Sequence, residues 1–485
     1  MPRPIRRRDL IEGLLAGVGG AAALGSGLVP EAARAAPADP DAGPIVTPDP
    51  LPERITASGV VAELVDVVAP PPTSVTRPVA LLNYLFHAND GTGDLYTNDT
   101  KGKMWRIDGR TGRVDLFLDL AAVRGNALLA TQREMGFRSF AFHPAFNMPG
   151  RVGYRKLYTM STESAGSRPA DVDLFAGPFP ITHHDVLAEW EVPANDPTRV
   201  DPDSRREVLR IAEFATNHNT DQVLFDLSRR PGEPGFGRMF IGTGDGGGGD
   251  PYGLAQDPQR LQGKILRIIP AFNRDGRRYR IPDDNPFVRR LGFLPHIWAL
   301  GLRHPQNLSY DLGGTGRLIF TDIGQRHIEE VNLMRKGANY GWPLREGTFV
   351  TDRADLRKLY ARGPNDAARG FTYPVAQYDH DDGRAITGGF VCRNAGIPAL
   401  EGHFLCGDIV NGRIFHVPMT ALLDAERTGT PARLHELTLL RNGQPTTLLD
   451  LVDAPRVDLR FGQGQDGRIY VLTKQDGWIR RLTAA

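Results

Sequence analysis

Six times along the chain, a run of alternating apolar and polar residues follows a turn that carries glycine. The copies read GDLYTNDTKGKMWRID from Gly93, RKLYTMSTE from Arg155, GRMFIGTGD from Gly237, GRLIFTDIG from Gly316, GHFLCGDIVNGRIFHV from Gly402 and GRIYVLTKQDGWIRRL from Gly467. Alternation of this kind is the mark of a half-buried strand, and the first, fifth and sixth copies continue through a short turn into a second strand. One such unit cannot bury its faces alone. Four-stranded sheets repeated radially solve that problem, so the pattern predicts an all-β fold, a six-bladed β-propeller. The competing reading is a pair of β-sandwiches whose strands resemble one another by chance.

Composition agrees with this picture. The 38 prolines and 55 glycines disfavour long helices, and a closed all-β architecture commonly runs to several hundred residues as one unit. The first residues stand apart from the repeats. MPRPIRRRDLIEGLLAGVGGAAALGSGLVPEAARAA has a basic start, an apolar Gly/Ala-rich run and small residues at Ala33 and Ala35 suited to cleavage. Arg7-Arg8 before Leu10-Ile11 resembles the twin-arginine signal used for export of folded proteins, and an ordinary secretory signal rich in arginine is the alternative. The expected organisation is therefore an export signal over 1–35, a flexible leader over 36–57 and one propeller domain over 58–485. No later apolar run is long enough to span a membrane, so a periplasmic or secreted protein is expected.

Charge narrows the partners. With 58 basic and 57 acidic residues and no basic block beyond the N-terminus, nucleic acid is excluded as a natural ligand. The two cysteines, Cys392 and Cys406, have no partner at metal-ligand spacing; they either pair in an oxidising compartment or are both buried.

Four stretches carry candidate chemistry. In FATNHNTDQVLFD, His218 stands between Asn217 and Asn219, where a neutral imidazole can accept a proton near neutral pH. In IWALGLRHPQNLSYD, Arg303 and His304 end an apolar run, and the guanidinium offers a planar cation to an oxyanion or carboxylate. In DIGQRHIEEVNLMRKGANYGWP, Glu329, Glu330, Asn332, Asn339 and Tyr340 surround a glycine-rich turn, the oxygen-rich setting that calcium requires. The glycine run of IGTGDGGGGDPYG lacks the Gly-Lys-Ser/Thr ending of a phosphate loop, which leaves Asp245 and Asp250 as rim residues. For each of these, a residue satisfied by local hydrogen bonds is the structural alternative.

Taken in order, EMGFRSFAFHPAF, HNTDQVLF, IGTGDGG, LQGKILRI, IPDDNPF, IWALGLRHPQNLSYD, GQRHIEEVNLMRKGANYGWP and AITGGFVCRN resemble the soluble pyrroloquinoline-quinone (PQQ) dependent sugar dehydrogenases, the glucose/sorbosone dehydrogenase family. The resemblance covers roughly residues 75–482 and implies a six-bladed propeller holding PQQ and Ca²⁺, with a sugar or polyol as substrate and an external electron acceptor. It is compatible with a homodimer. By position, His218 would be the general base on the anomeric hydroxyl and Arg303 the stabiliser of charge on the quinone oxygens. Glu134 falls where cofactor-contacting members have glutamine, and His304 where they have asparagine. Gly324 and Gln325 occupy the turn that would hold the catalytic calcium, while Glu330 and Tyr340 match the ligands of a further one.

The chain departs from the family at the carboxylate end of the cofactor. Val410 or Asn411 stands near the expected lysine, with Arg413 as the closest cation, and Arg456 and Arg460 do not both align with the family arginine pair around Val457. Two further functions therefore stay open: an extracellular calcium-dependent binding module that has lost PQQ, and a calcium-dependent lactonase.

Overall fold

The computed structural model describes residues 42–130, 134–166, 170–171, 180–270 and 277–485. The expected export signal lies outside them. Strands dominate, and the longest helix among the described residues is Met419–Thr428. No helix among them is long and apolar enough to cross a membrane.

Each repeated phrase becomes the second strand of a four-stranded antiparallel run. Phe137–Phe142, Lys156–Ser164, His183–Glu191 and Asp201–Glu213 form one run. Val223–Phe225, Met239–Thr243, Lys264–Pro270 and Ile297–Leu300 form another, extended by the short strand Tyr279–Arg280. Pro305–Tyr310, Leu318–Asp322, Ile328–Leu333 and Ala376–Asp379 form a third. The runs that begin at Leu82, Ile386 and Leu459 belong to one 13-stranded sheet. They are joined there by two parallel pairings, Gly462 with Leu85 and Ala57–Val68 with His435–Arg441. Ala57–Val68 also pairs antiparallel with Trp478–Ala484, which brings strands far apart in sequence into one sheet.

The first and second strands of the runs are both almost wholly buried, so the alternation read from sequence does not mark a solvent face. Phe137–Phe142 is buried at every position, because neighbouring runs cover both of its faces. Tyr96, Phe117, Phe142 and Phe146 interlock between the first two runs with ring centroids 4.7–6.2 Å apart. Burial of each such ring is worth about 1.5–3 kcal/mol. The polar residues of these first strands converge instead on a cleft lined by Asn83, Arg138, Asp221, Gln222, Asn307 and Arg460, among others. Side chains stitch neighbouring runs together there: Asn83 Nδ2 donates to Arg138 O at 2.7 Å, Gln222 Nε2 to Leu308 O at 3.2 Å, and Thr387 Oγ1 to Asn307 Oδ1 at 2.9 Å.

Part of the segment expected to be a flexible leader is bound to the body. Ala42–Ile45 pairs with Leu359–Arg362, while the backbone N–H groups of Leu51 and Ile55 donate to Asp379 and Asp382 at 3.2 and 3.0 Å. Cys392 and Cys406 are both buried free thiols, the second of the two readings open from sequence. Burial pushes the Cys392 thiol up to about 12.

Candidate active site

His218 sits in the loop before Val223–Phe225 with φ of 53°, a left-handed backbone that a residue with a side chain adopts only when its surroundings enforce it. Two contacts do so. Its backbone N–H donates to Glu134 Oε2 at 2.5 Å, and Gly244 packs so closely on it that a Cβ there would lie 2.1 Å from the His218 carbonyl oxygen. The imidazole is then held by Asp245, with Nδ1 and Oδ1 2.6 Å apart. A carboxylate accepts there, so Nδ1 carries the proton and the lone pair lies on Nε2.

Asp245 is itself fixed. Its oxygens accept from Trp342 Nε1 at 2.8 Å and from the Gly247 N–H at 2.7 Å. Burial works to raise its carboxyl, but the His218 ring and the Arg303 guanidinium outweigh that and hold it below the ordinary carboxylate range.

Arg303 and His304 are presented by a single carboxylate. The adjacent backbone N–H groups donate to Asp322 Oδ2 and Oδ1 at 2.9 and 2.6 Å. Burial pushes the Asp322 carboxyl up to about 7 against the pull of those two donors and of Arg303. Arg303 extends over Trp342, with its guanidinium carbon 5.9 Å from the ring centroid, and donates to Gln325 Oε1 at 2.9 Å and Ile323 O at 2.8 Å. His304 stacks on His218 at 4.8 Å with the rings 15° from parallel. Burial drives the His304 ring down to about 4, so it is neutral at physiological pH although Glu134 opposes the shift. Burial also raises the Glu134 carboxyl, but His304, His218 and the His218 N–H together bring it down to about 2.

The Gly324–Gln325 turn wraps around another carboxylate. Glu346 Oε1 accepts from the backbone N–H groups of Gln325, Arg326, His327 and Ile328 at 2.8–3.1 Å. Glu330 and Tyr340 do not converge. Glu330 accepts from the Gly347 N–H at 2.7 Å and Asn332 Nδ2 at 2.9 Å, whereas the Tyr340 hydroxyl donates to Leu333 O at 2.8 Å and accepts from the Arg335 N–H at 3.1 Å. Burial, then the neighbouring Asp322 carboxylate, pushes the Glu330 carboxyl up to about 8.

Arg413 and Arg456 are engaged away from this cluster. Arg413 donates to Asp382 Oδ1 at 2.8 Å, Glu436 Oε2 at 2.7 Å and Ile55 O at 2.9 Å, which pins the N-terminal segment to the body. Arg456 is spent on Asp458, with Nε 2.7 Å from Oδ1. Between them Val457 N donates to Val410 O at 2.9 Å, so two apolar residues meet where the resemblance implies cations. Of the pair Arg456 and Arg460, Arg460 does reach the central cleft, where it is joined by cations that motif reading passed over. Arg138 pairs with Asp221 at 3.1 Å, and Lys474 Nζ donates to Asn83 Oδ1 at 2.9 Å beside the buried Arg460. Burial, then the neighbouring Arg460 and Arg138, drives the Lys474 amine well below its ordinary range. The available signal was a charged residue inside an otherwise apolar strand, as in GFRSFAF.

Against known proteins, a family profile described as Glucose / Sorbosone dehydrogenase matches residues 232–481, just over half of the chain. The chain belongs to the glucose/sorbosone dehydrogenase family. Arg303, His304 and the Gly324–Gln325 turn lie inside the matched segment of this family, and Glu134 and His218 lie before it. The HIPL1 protein of Arabidopsis thaliana is 29% identical over 317 residues, 58% of this chain and 44% of that protein. The chain thus spans less than half the length of that relative. The aldose sugar dehydrogenase YliI of Escherichia coli strain K12 is 34% identical over 143 residues, 29% of this chain and 33% of that protein. A PQQ-bound aldose sugar dehydrogenase from Streptomyces coelicolor superposes with a TM-score of 0.53 over 86% of this chain and 99% of its own at 20% identity. That likeness concerns the fold, which in these sugar dehydrogenases is a propeller.

Proposed function

We propose that this chain is an exported oxidoreductase, a propeller of six blades that oxidises the anomeric hydroxyl of an aldose, or a related alcohol, at His218. The observation that supports the reading best is the His218–Asp245 pair, because it sets the ring's orientation and tautomer in advance, with Nε2 as the atom that accepts a proton. Proton transfer from the substrate hydroxyl to Nε2 makes an imidazolium, which the ionised Asp245 stabilises. Asp245 stays in place during that step because Trp342 and Gly247 hold it. Arg303 offers its guanidinium to an oxygen that gains negative charge in the same step.

The family implies PQQ and calcium. The donor chemistry at the reacting end fits a quinone, since Arg303, His304 and Glu134 gather around His218, and a calcium ion would be held by backbone carbonyls of the Gly324–Gln325 turn. When bound, the quinone supplies the hydride acceptor, calcium polarises its carbonyl, and an external acceptor takes the electrons onward. Where the resemblance implies cations for the cofactor's carboxylates, the chain has Val410 or Asn411, and Val457. That observation favours the second reading, a calcium-dependent extracellular binding module.

Dye reduction with a sugar panel, with and without added PQQ and Ca²⁺, separates the two. Turnover that requires PQQ and is abolished by His218→Gln is expected. Absence of both turnover and PQQ binding overturns the enzyme reading and leaves the module.

A further inference from the structure

Glu134, His218 and His304 come from three separate loops, yet one ligand atom of each lies within 4.8 Å of the other two. We propose that these three side chains form a binding site for a divalent transition-metal ion of the zinc type, distinct from any calcium site and not required for sugar oxidation. The donor set decides the class of ion. Two imidazole nitrogens and one carboxylate suit zinc and its first-row neighbours, whereas calcium takes oxygen ligands only.

The structure also supplies the support that such a site needs. A metal-bound histidine ordinarily donates its other N–H to a carboxylate, and His218 Nδ1 already does so to Asp245 at 2.6 Å. The His218 N–H on Glu134 Oε2 fixes the carboxylate and leaves Oε1 as a second oxygen. His304 is buried and is held by its backbone on Asp322. Bonds of 2.0–2.2 Å place tetrahedral ligands about 3.4 Å apart, so closing the set takes a rotation of the His304 ring out of its stack on His218 together with a shift of its nitrogen. Three protein ligands leave an open position for water or for a substrate oxygen.

The metal and the substrate proton would use the same lone pair, that of His218 Nε2. Occupancy by zinc and proton abstraction at this atom therefore exclude one another, and zinc inhibits whatever turnover the chain has.

Binding of the metal alone tests the site without reference to activity. Chelator-treated full-length protein is titrated with Zn²⁺ by calorimetry and with Co²⁺ by visible absorption, in buffer and in excess Ca²⁺. One ion per chain is expected, with d–d bands from Co²⁺ and no displacement by Ca²⁺. Glu134→Gln and His304→Asn, which keep the side-chain shapes, should each weaken binding by more than about tenfold. Should His304→Asn fail to fold, Glu134→Gln and the Co²⁺ spectrum decide. The proposal falls if the wild type binds no Zn²⁺, if Ca²⁺ displaces it, or if the folded variants bind within about twofold of the wild type.

Discussion

Two sides of the same centre are built on opposite principles. Around His218 every polar group has a second polar group behind it: Asp245 behind the imidazole, Trp342 and Gly247 behind Asp245, and Asp322 behind Arg303 and His304. Around Val410 and Val457 the backbone closes on itself, and the nearby arginines are turned to Asp382, Glu436 and Asp458. The difference teaches that burial of charge at a site is sustained only where partners are supplied in layers. One side carries charge in linked polar layers, and the other closes through backbone hydrogen bonds and outward-turned ion pairs.

The largest effect should come from breaking the first side. His218→Gln removes the lone pair while keeping an amide in its place, and kcat for sugar-dependent dye reduction should fall roughly 10³-fold. A change in KM alone would instead mark His218 as a binding group.

Stability against pH reads the same network next. Glu330 is held up to about 8, above its unfolded value of 4.5, so its contribution to stability is present at low pH and is lost as pH rises from about 4.5 to 8. Glu330→Gln should remove that slope, leaving stability little changed at pH 5 and raised at pH 9 by about 1–3 kcal/mol, read from chemical denaturation. Saturating Ca²⁺ erases this difference only if Glu330 is a calcium ligand. His304 acts with the opposite sign. Its ring is driven down to about 4, so stability falls as pH drops from about 6.5 toward 4.

On the second side, Arg413→Ala should cost about 1–2 kcal/mol of stability through the lost hold on Asp382, Glu436 and Ile55, with KM and PQQ affinity unchanged. Lower PQQ affinity in that variant would restore Arg413 to the cofactor site. The smallest expected effect sharpens the comparison most. Val410→Lys places a cation at the half-buried position and should tighten PQQ binding by about tenfold, measured by titration.

The strand phrases were legible because alternation and glycine turns are local signals, and each of the six occupies the same place in its run. His218, Arg303 and His304 could be read from their motifs. Their supports were only partly legible: Asp245 stood out in its glycine run, but nothing in the sequence paired it with His218, or Asp322 at the end of its strand with Arg303 and His304, and Trp342 comes from 97 residues beyond Asp245. The same limit applies to one cation. Arg413 looked available for an anion because Glu436 and Ile55, which occupy it, lie outside its own stretch. Arg138 and Lys474 escaped notice because nothing in a strand pattern tells a charged residue that faces solvent from one that faces a shared axis.

The pairing of Ala62 with Ala484 sets a condition on biosynthesis. A ribosome delivers the strand Ala57–Val68 long before either of its partners, His435–Arg441 and Trp478–Ala484, so it waits unpaired, with open edges, until they follow. The entropy of closing so long a loop grows only with the logarithm of its length. Timing is therefore the harder constraint than energy, and a chain truncated by even its final strand would leave that edge exposed to other copies of itself.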